Sequence, residues 1–98
     1  MTVMLTDKIE RQLSQLIVAM LAGKRPGATI GPADVARRYD ADAWKRWMDS
    51  VKEVARRLAA AGAIEVTRHG APVEVWPWRG VVRFRARVEA NPRAPDAR

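Results

Sequence analysis

Three arginines, Arg83, Arg85 and Arg87, alternate with Val82, Phe84, Ala86 and Val88 near the end of a 98-residue chain. Side chains alternate sides along a β-strand, so this spacing gathers the guanidinium groups on one face and the apolar groups on the other. A guanidinium pairs with phosphate through two parallel hydrogen bonds, and such a row could follow a phosphate backbone. Arg68, His69 and Arg79 precede the row and extend the set. The same alternation also suits a plain edge strand, where charge discourages aggregation.

A second basic group lies on a helical pattern. Trp44, Trp47, Met48, Val51, Val54, Ala55 and Leu58 recur at helix spacing and form one apolar stripe. The other face carries Lys45, Arg46, Asp49, Lys52, Glu53, Arg56 and Arg57. If this helix enters a DNA major groove, its first outward residues meet base edges: Lys45, Arg46, Asp49 and Ser50. Lys52 and Arg56, further along, would reach phosphates. A solvated amphipathic face accounts for the same residues, and Asp49 and Glu53 would repel phosphate. Trp76 and Trp78 flank Pro77 in what reads as a loop. They could fold back on the core, meet a protein partner or a second copy, or stack on a base.

Other chemistries find no support. Without cysteine the chain has no disulfide, zinc-thiolate site or thiol nucleophile. His69 is the lone histidine, and no carboxylate cluster has metal-ligand spacing. Neither a nucleophile elbow nor a phosphate-cradling or dinucleotide glycine loop occurs. Asp34, Asp40, Asp42, Asp49 and Glu53 are explained as caps and helix surface. The expectation is therefore a non-enzyme with no cofactor, metal or small-molecule ligand. The first residues, M-T-V-M-L-T-D-K, do not resemble a signal peptide, and no apolar run approaches the roughly 20 residues that span a bilayer. A cytoplasmic protein without a membrane partner is expected.

The net charge is +7. Lys45, Arg46, Lys52, Arg56 and Arg57 against Asp49 and Glu53 concentrate part of the surplus on the helical pattern, and the arginine strand carries another part. Basic surface so placed attracts polyanions, DNA first among them. Liberal use of arginine over lysine would also raise the charge without any partner.

The elements that must position these groups can be read in order. Thr6 caps a first helix whose stripe is Ile9, Leu13, Leu16, Ile17, Met20 and Leu21, and Gly23 ends it. Ala28–Ile30 favours a short strand. Pro32 opens a second helix that ends near Tyr39 or Asp40, with Val35, Ala36 and Tyr39 inward. Asp40 or Asp42 caps a third helix, about Asp42 to Ala61, closed by Gly62. Ile64–Thr67 is a strand, Arg68-His69-Gly70 a turn, Ala71–Gly80 an irregular connection containing Pro72 and Pro77, and Val81–Val88 the returning strand. The reading is an α+β fold, mainly α: a winged helix-turn-helix over residues 6–88, with a disordered tail at 89–98.

Thr29–Arg37 (T-I-G-P-A-D-V-A-R), Trp44–Val73 and Arg79–Arg85 (R-G-V-V-R-F-R) together resemble a bacterial family of small domains of unknown function, the one numbered 3253. With the first helix the resemblance covers about Lys8 to Arg87. It implies a winged-helix fold and no known activity. Between Val73 and Arg79 that family is usually polar and proline-containing, whereas here Glu74-Val75-Trp76-Pro77-Trp78 brings two indoles to the loop. The expected function is DNA binding, in a transcriptional or chromosome-associated role, by the third helix and the basic wing. The alternative is a protein-interaction adaptor that uses Trp76 and Trp78. A homodimer is compatible with both.

Overall fold

Helix α1 (Asp7–Ala22) begins where the sequence supplies a cap: Thr6 Oγ1 accepts a hydrogen bond from the Ile9 amide at 3.2 Å. Asp7 and Glu10 in its first turn suit the positive end of the helix dipole. Its stripe buries Leu13, Ile17 and Leu21, with Ile9, Leu16 and Met20 half-buried beside them. The computed structural model describes residues 5–73, 78 and 80–87. The expected tail at 89–98, Val88, Trp76, Pro77 and Arg79 lie outside the described residues.

Strand β1 (Thr29–Ile30) leads into helix α2 (Pro32–Tyr39). Pro32 takes the first helical position, and the Asp34 carboxylate reaches back to accept from the Gly31 amide at 2.8 Å. A 3₁₀ turn (Trp44–Trp47) follows and runs into helix α3 (Met48–Ala60). Helix α3 ends as a six-to-one closure, with the Ala63 amide donating to the Leu58 carbonyl at 2.9 Å and Gly62 at φ 83°.

Strands β2 (Ile64–Arg68), β3 (Ala71–Pro72) and β4 (Arg83–Ala86) join β1 in one antiparallel sheet of order β1-β4-β2-β3. The last strand thus inserts between the first two, with Phe84 opposite Ile30 on one side and Val66 on the other. The core forms between this sheet and the three α-helices of the described residues. Val35 and Ala36, Val51, Val54 and Ala55, and Ile30, Ile64, Val66, Val82 and Phe84 complete it. The fold is α+β and mainly helical.

Two boundaries differ from the sequence reading. The third helix starts as a 3₁₀ turn at Trp44 and turns regular only at Met48. In that turn the indoles of Trp44 and Trp47, three residues apart, fall on one side, and both are half-buried against the core. The connection after His69-Gly70 is also more regular than expected. Arg68 pairs with Ala71 and Thr67 with Pro72, and the Val73 amide donates to the Val66 carbonyl at 2.8 Å. Pro72 fits because it occupies an edge strand at a position that needs no amide donor.

The loop of this hairpin is His69-Gly70, with φ values of 54° and 83°. Two positive values in a two-residue loop define a type I′ turn. Histidine tolerates the left-handed region better than branched residues do. His69→Val should therefore cost about 1 kcal/mol, whereas His69→Asn should leave the melting temperature unchanged or raise it. Thermal melts of the two variants check the assignment, and equal melting would remove it.

Candidate nucleic-acid interface

The outward face of the sheet is more self-engaged than its composition suggests. Arg85 sits opposite Glu65, and its Nε donates to Glu65 Oε1 at 2.7 Å. Arg83 binds β1: Nε donates to Thr29 Oγ1 at 3.0 Å, Nη2 donates to the Thr29 carbonyl at 3.1 Å, and Nη1 lies 4.0 Å from Asp34 Oδ2. From β4 these two arginines reach β1, β2 and α2. Arg83 and Arg87 are exposed and Arg85 half-buried, so the alternation read from the sequence holds across β4.

The Glu53 carboxylate binds Arg56 and Arg57 of its own helix, and Arg57 continues to Glu10 of α1 at 2.9 Å. The Glu53 side chain keeps 14% of its surface exposed. Hydrogen bonds from Arg56 first, then from Arg57, hold its pKa below the ordinary glutamate value. The Arg57 guanidinium is correspondingly raised, by Glu10 first and Glu53 second. The repulsion expected from Glu53 is therefore largely cancelled by its own neighbours. Lys52 and Arg56, one turn apart, both border the returning chain, Lys52 beside Val81 to Arg83 and Arg56 beside Arg87. Ser50 requires a correction: it is 1% exposed, on the core face with Val51 and Val54. It cannot meet a base edge, because the buried arc of α3 is wide enough to include it.

A carboxylate with a depressed pKa stabilises the fold above its unfolded value and loses that contribution as pH falls through the folded value. Its partners are half-exposed and screened, so Glu53→Gln should cost about 1 kcal/mol at neutral pH. The difference from the parent should vanish well below the free glutamate value of about pH 4.3. Urea titrations of both proteins at several pH values read this out, and a pH-independent difference would contradict it.

The α2–α3 corner holds groups that the sequence reading passed over. The Arg37 guanidinium lies 4.2 Å from the centre of the Trp44 ring, and the Lys45 ammonium 5.7 Å from the same ring. The Arg46 guanidinium lies 5.6 Å from the Trp47 ring. The Trp47 indole is braced. Trp47 Nε1 donates to Asp40 Oδ2 at 3.0 Å, and its ring meets Tyr39 edge-on at 5.1 Å. Asp40 Oδ1 accepts from the Ala43 amide at 3.1 Å, which caps the corner. The Trp47 bond first and the Ala43 amide second keep the Asp40 pKa below its ordinary value. Tyr39 donates to Gln12 of α1 at 2.8 Å. Arg38 stands exposed beside Arg37. No local pattern links Arg37 to Trp44, because the turn at Asp40 separates them and the stack exists only in three dimensions.

The two basic groups meet along α3. Lys52 and Met48 border a cavity of about 310 Å³ with Asp34, Val81, Val82 and Arg83. Arg56 and Ala59 border a second, of about 430 Å³, with Val66, Val73, Trp78 and Arg87. Arg68 and His69 project at the exposed hairpin end. A Cβ at Gly80 would lie 3.7 Å from the Arg68 side chain, so that stem passes close to the returning chain. Trp78 is half-buried and packs against the core, its ring 6.1 Å from Phe84. Among the described residues no group of three or more His, Cys, Asp or Glu could hold a metal ion, and no helix is long and apolar enough to cross a membrane.

A small mainly helical α+β domain whose third helix and last strand share a cationic border is the class these features define. The chain belongs to the family described as "Protein of unknown function (DUF3253)", whose model matches residues 10–87. No curated protein matches it.

Proposed function

We propose that the chain is a winged helix-turn-helix module that binds duplex DNA, in a transcriptional or chromosome-associated role. Helices α2 and α3 form the helix-turn-helix, the start of α3 faces the major groove, and the segment from β2 to β4 is the wing. One observation carries this reading: Lys52 borders a cavity with Arg83, and Arg56 borders another with Arg87. Each cavity brings together cations far apart in the chain, and a polyanion surface needs such pairing. Lys45, Arg46 and Asp49 are exposed at the groove-facing end. Lys52, Arg56, Arg68 and Arg87, with His69, flank them as phosphate contacts. Arg56, Arg83 and Arg85 keep fewer donors for phosphate, because Glu53, Thr29 and Glu65 already take some.

The test is a titration of random-sequence duplex at several salt concentrations. With about five phosphates engaged, the slope of log affinity against log salt should be about −4 to −5. No binding at low salt would end the proposal.

A further inference from the structure

We propose that Arg37 and Arg46, each seated on an indole, read guanine in the bound duplex; this rests on the DNA-binding function proposed above. Arginines in this structure fall into two kinds. Arg56, Arg57, Arg83 and Arg85 direct N–H groups at internal acceptors: carboxylates, a hydroxyl or a carbonyl. Arg37 and Arg46 instead lie over rings, at 4.2 Å and 5.6 Å, and neither makes an ion pair among the described residues. The difference matters chemically. A guanidinium carries its N–H donors in its own plane, so a ring under the face leaves the donor edge available. Stacking also fixes a long side chain in advance, which lowers the entropy lost on binding.

The edge so presented matches the paired O6 and N7 acceptors of guanine in the major groove, and no other base offers two acceptors there to one fork. Position favours the same partner. Both arginines lie at the α2–α3 corner, beside the end of α3 that the proposed geometry brings to the groove. Trp47, the mount of Arg46, is held by Asp40 and Tyr39, and Tyr39 by Gln12 on α1, while Trp44, the mount of Arg37, is half-buried against the core. Arg37 belongs to α2, so sequence reading extends beyond the third helix.

The experiment enriches preferred duplexes from a random library with the full chain. It then measures the parent, Arg37→Lys and Arg46→Lys on the enriched site and on a scrambled one at fixed salt. Lysine keeps the charge and removes the fork. Each variant should bind the scrambled duplex within about twofold of the parent, since the phosphate term is unchanged. On the enriched site it should lose about ten- to a hundredfold, and guanine should no longer be selected at one position. A lysine variant that kept the parent's preference would overturn the assignment of that arginine. A parent that binds all duplexes equally would overturn the inference and leave DNA binding standing. A parent that binds no duplex would remove both.

Discussion

Phe84→Ala should lower the stability of this domain by about 3–5 kcal/mol. Phe84 has 0% of its surface exposed and is the largest fully buried side chain in the described core. It sits on the strand that joins the two halves of the sheet, opposite Ile30 on β1 and Val66 on β2. Trp78 tilts over it, so truncation would leave a cavity that the indole alone cannot refill. Domains of this size are stable by about 5–15 kcal/mol in all, so the loss would remove much of the reserve. Urea denaturation should show a lower midpoint with an unchanged slope. Phe84→Leu keeps most of the volume and should cost about 1 kcal/mol. An alanine variant within 1 kcal/mol of the parent would mean that the core is not centred on β4.

What could be read from sequence was what depends on local geometry. The stripe of α1, the Thr6 cap, Pro32 at the start of α2 and Gly62 after α3 each follow from a few adjacent residues and appear as expected. The alternation through β4 also holds, with Val82 and Phe84 inward and Arg83 and Arg87 exposed. Failures arise where a distant partner decides. Ser50 follows Asp49 at the start of α3 and reads as outward, yet it is 1% exposed and belongs to the buried arc of the helix. Trp44 and Trp47 fit the helical stripe, but Asp40 recruits the Trp47 indole and the chain enters through a 3₁₀ turn. The short strand β3 was invisible because a proline marks it, and only its pairing with β2 reveals a position where proline is harmless.

The candidate site shows the same division. Its cations could be named from composition and period alone, but their availability could not. Whether an arginine serves the fold or faces outward depends on what lies across from it: Glu65 for Arg85, Thr29 for Arg83, an indole for Arg37 and Arg46. Val81, 79% exposed at the mouth of the cavity that Lys52 and Arg83 share, has the outward parity of Arg83 and Arg85 and points as the alternation requires. It does so before the paired part of β4 begins.

Reversing two charges should separate a DNA-binding surface from a merely soluble one. Lys45 and Lys52 are neither buried nor in ion pairs among the described residues, so Lys45→Glu with Lys52→Glu should leave the melting temperature nearly unchanged. If both meet phosphate, affinity for random duplex at low salt should fall about a hundredfold or more, and the log–log salt slope should become shallower by about 2. The opposite change sharpens the test. Asp49 is exposed in the first turn of α3, between Lys45 of the 3₁₀ turn and Lys52, and its carboxylate repels the backbone it would approach. Asp49→Asn should therefore strengthen binding to random duplex by about threefold to tenfold. Polyanion attraction without a defined face would respond to net charge alone. In that case Lys8→Glu with Lys24→Glu, which alters the exposed surface of α1 and the turn after it, would weaken binding as much as the Lys45 and Lys52 pair does. The proposed interface requires the two double variants to differ by at least tenfold, because only charges within about a Debye length of the phosphates, roughly 10 Å at moderate salt, are felt by them. Equal losses from both pairs would leave the domain basic but without a binding face.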